Sequence, residues 1–329
     1  GSVSFSLSIN SARCAGSWAA AYAASRTAVA SVGATFSAST YDKLSDLSLD
    51  NLQLGSTTAA SARSTRTGSG NLDFSSKTIA ISGTVGVSEN LDIGFVIPTV
   101  TIELNGTSSL VNGEGTVVRL AKSTGIFSGI GDIAALAKYR FVKFGSGGLT
   151  DPGGVALTLN MRLPTGDREN LRGLGITRTL LGVVVSGGTG RFRPHASAGF
   201  DYWSKGVVVA TNLATGAREE ARHQIQYAAG VEIEATPKVT LLFDFLGQQI
   251  RGAGQVGFVT DAAAANSSGI TSYKSLVGLG DGIQKALLVP GLKVNLKGKI
   301  LLSLNALMTL KNNGLHATVT PVVGLNLTL

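Results

Sequence analysis

The sequence predicts an all-β protein, a closed antiparallel transmembrane β-barrel of about 12 strands with up-and-down topology. Three observations lead there. The first is composition: 329 residues are 43 % apolar and only 15 % charged, with a mean hydropathy of +0.26, where soluble domains carry about 25 % charge. Disorder and collagen are excluded, since apolar content is high and the 43 glycines follow no Gly-X-Y period. A helical membrane protein is excluded too. The longest apolar stretches, such as Leu180 to Val185, fall far short of the ~18 residues a spanning helix needs.

The second observation is a period of two. Val155, Leu157, Leu159, Met161 and Leu163 alternate with smaller or polar residues, and Ile300 to Leu310 and Val319 to Leu329 repeat the pattern. These runs exceed the ~5–6 residues of a soluble strand and match the ~9–11 that a tilted strand needs to cross a bilayer. The third is loop length. Short connections fall at Ser88 to Asn90, Ser186 to Gly190, Thr236 to Lys238 and Lys297-Gly298, with a medium one at Lys143 to Pro152. Longer ones, 41–73, 105–129, 165–175, 204–222, 251–285 and 311–316, alternate with them. Short periplasmic turns and long extracellular loops alternate in this way in outer-membrane barrels.

Taken in order, the expected strands are 31–40, 74–87, 91–104, 130–142, 153–164, 176–186, 191–203, 223–235, 239–250, 286–296, 299–310 and 317–329. Their number is even, as closure of a bacterial barrel requires. Residues 1–30 stand apart as an N-terminal arm, periplasmic or plugging the lumen, and 31–329 form the barrel. Within the arm Val3, Phe5, Leu7 and Ile9 alternate with serines, while alanine-rich Ala12 to Ala30 reads as a short helix. Gly1 to Asn10 has no basic start and no continuous apolar core, so no secretory signal is expected there.

If the apolar residues of each strand face lipid, the alternate residues face the lumen. The lumen-lining candidates are Asp132, Lys138, Arg140, Asn160, Arg162, Arg193, His195, Asp201, Glu232, Glu234, Asp244 and Asn305. Antiparallel pairing places Arg193 opposite Glu234, His195 opposite Glu232, and Asp132 near Arg162. Opposite charges across strands contribute ~0.2–1 kcal/mol. Such pairs neutralise a narrow lumen or shape the passage of a solute, and the sequence leaves both readings open. Tyr41, Phe74, Tyr139, Phe141, Phe144, Phe192, Tyr202 and Trp203 gather near strand ends, where an interfacial aromatic girdle would place them.

Little points to chemistry. The one cysteine, Cys14, forbids an internal disulfide, and His195, His223 and His316 have no second histidine at metal-ligand spacing. No cofactor and no metal site is therefore expected. Ser197 could be drawn with His195 and Glu232 as a hydrolytic set, but it lies two residues along the same strand, ~6–7 Å away, too far for a nucleophile–base hydrogen bond. An enzyme is not expected. The net charge of +8 is spread over the chain without a patch, which speaks against nucleic acid and for anionic lipid headgroups or an anionic solute.

Four stretches carry a resemblance: Gly83 to Pro98 (GTVGVSENLDIGFVIP), Gly129 to Phe141 (GIGDIAALAKYRF), Leu159 to Gly173 (LNMRLPTGDRENLRG) and Asn312 to Leu327 (NNGLHATVTPVVGLNL). The chain resembles the bacterial outer-membrane barrel family named for the meta-pathway of phenol degradation, itself similar to long-chain fatty acid and aromatic hydrocarbon transporters. LPTGD (Leu163 to Asp167) and GIGD (Gly129 to Asp132) are its most specific motifs. The resemblance covers residues 32–329 and implies passive passage of small hydrophobic or aromatic solutes across the bacterial outer membrane. One departure stands out: the chain ends in Leu329, where such barrels end in an aromatic residue. The competing expectation, from another class, is a structural or assembly-partner barrel with a sealed lumen.

Overall fold

The computed structural model describes residues 30–41, 52–54, 66–111, 117–144, 153–188, 191–211, 218–252, 255–262, 272–279, 282–296, 299–310 and 317–328. The arm 1–30, apart from its last residue, lies outside them, as do its expected helix, Cys14 and His316. The described elements are all strands: β1 (Ala30–Tyr41), β2 (Leu52–Leu54), β3 (Arg66–Gly86), β4 (Leu91–Val111), β5 (Val117–Ile130), β6 (Ala134–Phe144), β7 (Gly153–Arg162), β8 (Arg178–Ser186) and β9 (Phe192–Trp203). They continue with β10 (Val207–Thr211), β11 (Arg218–Thr236), β12 (Val239–Arg251), β13 (Gln255–Ala262), β14 (Ser272–Leu279), β15 (Gly282–Asn295), β16 (Ile300–Thr309) and β17 (Val319–Thr328).

The sheet closes on itself. Neighbours pair antiparallel along the chain, and β17 returns to β1 from Ser31↔Thr328 to Ser37↔Val322. Two strands share one place in the wall. β4 pairs β6 from Leu91↔Tyr139 to Val96↔Ala134, then β5 from Thr99↔Ile130 to Val111↔Val117. β5 and β6 are therefore one wall strand interrupted at residues 131–133, and the wall has the 12 strands expected. Closure is what makes such a wall compatible with lipid, because hydrocarbon offers no partner to an unpaired backbone group.

The alternation sorts side chains by face. Leu181, Val183 and Val185 of β8, Phe200 and Tyr202 of β9, and Val323, Leu325 and Leu327 of β17 are exposed on the outside, Leu181 at 59 %. Their neighbours Arg178, Asp201, Thr320 and Val322 are buried on the inside. An exposed apolar band this extensive would be insoluble in water and is at home in a bilayer. The chain is thus a transmembrane β-barrel of the outer-membrane type.

Four expectations about loops are corrected. The stretches read as loops 41–73 and 105–129 contain strand: β3 begins at Arg66, β4 runs to Val111 and β5 starts at Val117. These extensions are Ser-, Thr-, Gly- and Asn-rich. Beyond the bilayer a paired strand needs no apolar face, so it carries no alternation to read. Likewise 204–222 contains β10, folded back on β11, and 251–285 contains the β13–β14 hairpin and the start of β15. Strand 130–142 begins later than expected, at Ala134, leaving Asp132 in the interruption rather than in a strand.

Leu159 and Leu304 are 42 % and 40 % exposed on the outer face. Leu159→Arg or Leu304→Arg should cost about 2–4 kcal/mol if near the midplane, read from equilibrium unfolding in lipid vesicles, whereas Asn160→Arg, on the opposite face, should unfold at nearly the wild-type denaturant concentration.

Candidate functional site

The barrel interior is the concave region where side chains from every wall strand converge, and two apolar clusters shape its loop end. Phe74, Val100, Ile102 and Ala317 are buried together on the β3–β5 side, with Leu104, Phe127 and Leu171 against them. Ile176, Trp203, Val207, Ala221 and Ile250 form the other on the β9–β12 side, with Leu174 and Ile283 against it. Leu171, Leu174 and Ile176 all belong to the connection 163–177. That connection therefore runs as a strap across the mouth, seated at both ends. Phe74 and Trp203 thus leave the expected girdle. They fall on the inner phase of their strands, beside Ser76 and Asp201, while Tyr139, Phe141, Phe144, Phe192 and Tyr202 are exposed outside. The side chain of Tyr41 is not among those described.

The strap is sewn into the wall where β5 and β6 part. Thr165 Oγ1 donates to the Gly131 carbonyl at 2.8 Å and accepts from the Ile133 amide at 2.9 Å. Asp132 accepts the amides of Gly166 at 3.0 Å and Leu174 at 3.1 Å. Gly131 keeps one wall bond, its amide donating to Pro98. GIGD and LPTGD, the two most specific motifs of the sequence, are thus halves of one junction. Asp167 organises the remainder, accepting from the Glu169 amide at 2.9 Å, Asn170 Nδ2 at 2.6 Å and Arg172 at 2.9 Å. The Asn170 amide and then the Arg172 guanidinium hold its carboxyl below the ordinary aspartate value. Leu171 is left at φ 58°, a conformation L-residues seldom adopt, and it reaches the Ile102 cluster from there.

Below the strap, a polar network crosses the inner face. Arg178 is ion-paired with Asp201 in burial of 4 % and 3 % side-chain exposure, and its guanidinium lies 4.8 Å from the Trp203 ring. Gln226 donates to Asp201 at 3.3 Å, and Gln248 donates to Gln224. His195 Nε2 meets Asp244 Oδ1 at 2.9 Å, and Lys293 donates to Glu232 at 2.9 Å.

The expected cross-strand pairs are corrected by two residues. Arg193 stands opposite Glu232, not Glu234, and His195 opposite Gly230. Gly230 explains what His195 does next. A Cβ there would overlap the Asp244 carboxylate, so the missing side chain lets Asp244 lie over Gly230 within reach of His195. The same device recurs on the inner face. Gly33 pairs with Asn326, Gly291 with Asn305 and Gly324 with Ser303, each glycine vacating the space its polar partner fills. The drawn set of Ser197, His195 and Glu232 is not assembled: His195 is bonded to Asp244 and Glu232 to Lys293.

The remaining candidates are placed by phase. Lys138 and Arg140 on β6, Asn160 and Arg162 on β7, Glu234 on β11 and Asn305 on β16 stand opposite the exposed apolar residues of their strands. Arg140 reaches the turn end, donating to the Glu89 carbonyl at 3.2 Å. Sequence reasoning missed Arg178, masked by the continuous apolar run that follows it, and Lys285, one residue before the expected start of its strand. Counting back by twos from Lys293, which shares its face with Val289, Leu287 and Lys285, could have revealed the latter.

Within this interior lies a cavity of about 120 Å³, lined by Leu136, Leu180, Val184, Ala228, Leu246 and Leu287, by Gly182 and Gly199, and by Lys138, Asn160, Gln226, Gln248 and Lys285. A second apolar group, Leu246, Val289, Leu307 and Val322, continues its wall toward β17. The inner face is therefore partly apolar, more than a reading that assigned the apolar phase to lipid would expect.

Removing Asp201 should leave Arg178 buried without its counter-charge. Asp201→Ala is expected to lose about 3–5 kcal/mol, measured by denaturant unfolding of the detergent-folded barrel.

No family model matches the chain, and no curated protein matches it by sequence. Solved structures match by fold. An outer membrane channel from Pseudomonas putida F1 superposes with a TM-score of 0.55 at 11 % identity, over 94 % of this chain and 98 % of that one. The NanC porin follows at a TM-score of 0.45 and 9 % identity, over 92 % and 100 %. A Pseudomonas aeruginosa FadL homologue matches at 0.35 and 10 %, over 94 % and 91 %. At these identities the likeness is one of fold, that of the bacterial outer-membrane barrels.

Proposed function

We propose that this barrel is a passive channel of the bacterial outer membrane for small, apolar or aromatic solutes. The observation that carries the reading is the cavity of about 120 Å³ inside the wall, lined mainly by leucine, valine, alanine and glycine. Apolar cavities of ~150 Å³ accept a benzene ring, so the space is on the scale of one aromatic molecule. Asp132, Lys138, Arg140, Asn160, Arg162, Arg193, His195, Asp201, Glu232, Glu234, Asp244 and Asn305 line the passage in this reading. Four cations (Lys138, Arg140, Arg162 and Arg193) against five carboxylates (Asp132, Asp201, Glu232, Glu234 and Asp244) leave them with little net charge, which suits solutes of low polarity. The family named for the meta-pathway of phenol degradation is the relation we favour, on the GIGD and LPTGD motifs that meet at the strap. The outer surface would sit in the bilayer, with the diffuse charge of +8 drawing anionic headgroups to the rims.

The second reading, a structural or assembly-partner barrel with a sealed lumen, is favoured by the strap, whose Leu171, Leu174 and Ile176 are packed into both sides of the mouth. The two separate on conductance. In planar bilayers the wild type should show small, discrete steps. Leu171→Asp, which puts a charge among Phe74, Val100 and Ile102, should enlarge them severalfold by unseating the strap. Gly182→Trp, which fills the cavity, should abolish them. Absence of steps in both the wild type and Leu171→Asp would establish the sealed barrel.

A further inference from the structure

The wall register draws one continuous arc across seven neighbouring strands. Lys138 pairs with Thr158, Thr158 with Gly182, and Gly182 with Gly199. Gly199 then pairs with Gln226, Gln226 with Gln248, and Gln248 with Lys285. All seven residues line the same cavity. The middle of the arc, Gly182 beside Gly199, has no side chains at all and forms a bare backbone floor. Leu136, Leu180, Leu246 and Leu287 rise around it. A flat apolar ring suits this space, and its polar end would find amides and a lysine at one limit of the arc.

The charges at the two limits differ. Lys138 stands opposite Asp92 in the β4–β6 register, a counter-charge on the adjacent strand. Three of the inner-face acids, Asp201, Glu232 and Asp244, are engaged, with Arg178, Lys293 and His195. Lys285 makes no hydrogen bond and no ion pair among the described residues, although it lies inside the barrel wall beside Gln248. An ionisable group within a membrane protein is costly and ordinarily pairs with something, a solute included.

We infer that the arc is a binding site for a small aromatic monocarboxylate. The ring lies over the Gly182–Gly199 floor between the leucines, and the carboxylate takes the Lys285 ammonium with the Gln248 amide beside it. Lys285, a cavity-lining cation without a counter-charge among the described residues, calls for one negative charge. The inference rests on the channel reading and narrows its solute class, within the aromatic molecules, to amphipathic monoanions with a planar ring.

Equilibrium dialysis of the detergent-folded full chain with radiolabelled benzoate, and in parallel with benzyl alcohol, tests the site without requiring transport. Benzoate should bind saturably, one per chain, and more tightly than benzyl alcohol. Lys285→Met should weaken benzoate by about tenfold or more, the worth of one charge-assisted hydrogen bond, while leaving benzyl alcohol unchanged. Lys285→Arg should retain most of the affinity, and Gly182→Trp should remove both ligands. Heat-modifiable gel migration confirms that each variant is folded. Equal affinity for the two ligands, benzoate binding indifferent to Lys285→Met, or no saturable binding at all overturns the inference. Conductance of the same preparations judges the channel reading separately: a conducting barrel without benzoate binding loses only this site, whereas a binding but non-conducting barrel loses only the channel.

Discussion

The pairing of β17 with β1 is the constraint on which the remainder of the structure depends. In hydrocarbon each unpaired amide or carbonyl costs several kcal/mol, so an open sheet of this length could not remain in a membrane. Closure gives every wall strand two neighbours, and it also divides all side chains between lipid and interior. The low charge and positive hydropathy of the chain follow from that division, since half of each strand must tolerate acyl chains. So does the abundance of small residues, because 12 strands enclose limited room.

How that room is divided depends on exchanges between neighbouring strands. Glycines 33, 230, 291 and 324 vacate space that Asn326, Asp244, Asn305 and Ser303 occupy on the next strand. Polar groups can then lie flat along the wall and satisfy one another instead of projecting into the centre. The buried pair His195–Asp244 is held by this arrangement, and Arg178–Asp201 and Lys293–Glu232 are buried on the same inner face. Their desolvation cost is offset only because each charge has both a partner and a fixed geometry. The interior between them is left apolar and nearly bare at Gly182 and Gly199, and that is where the cavity forms.

The strap 163–177 belongs to the same logic. Interrupting β5–β6 at residues 131–133 frees backbone groups in the wall; Thr165 takes up the Gly131 carbonyl and the Ile133 amide, while the Asp132 carboxylate accepts the strap amides of Gly166 and Leu174. A break in the ladder thereby becomes the anchor of an inward-folded connection. The unfavourable φ of Leu171 is offset by burying its side chain against Ile102, the most buried apolar residue of its cluster.

The sequence by itself determined the wall. Strand count, approximate limits and the lipid-facing phase were all legible, because a bilayer imposes a period of two over a set length and short turns recur on one side only. It determined the motifs GIGD and LPTGD but not that they touch. It could not determine register: a two-residue slip, such as that between Glu234 and Glu232 opposite Arg193, leaves every side chain on its face and so leaves hydrophobic patterning unchanged. The bulge of β11 between Arg222 and Gln224 is the kind of local feature that sets such offsets. Nor could it foresee the hairpin extensions beyond the membrane, where solvent accepts either face of a strand. The strap, the His195–Asp244 pair and the place of Lys285 in the cavity were decided by tertiary structure alone, because each depends on which strands stand side by side once the sheet has closed.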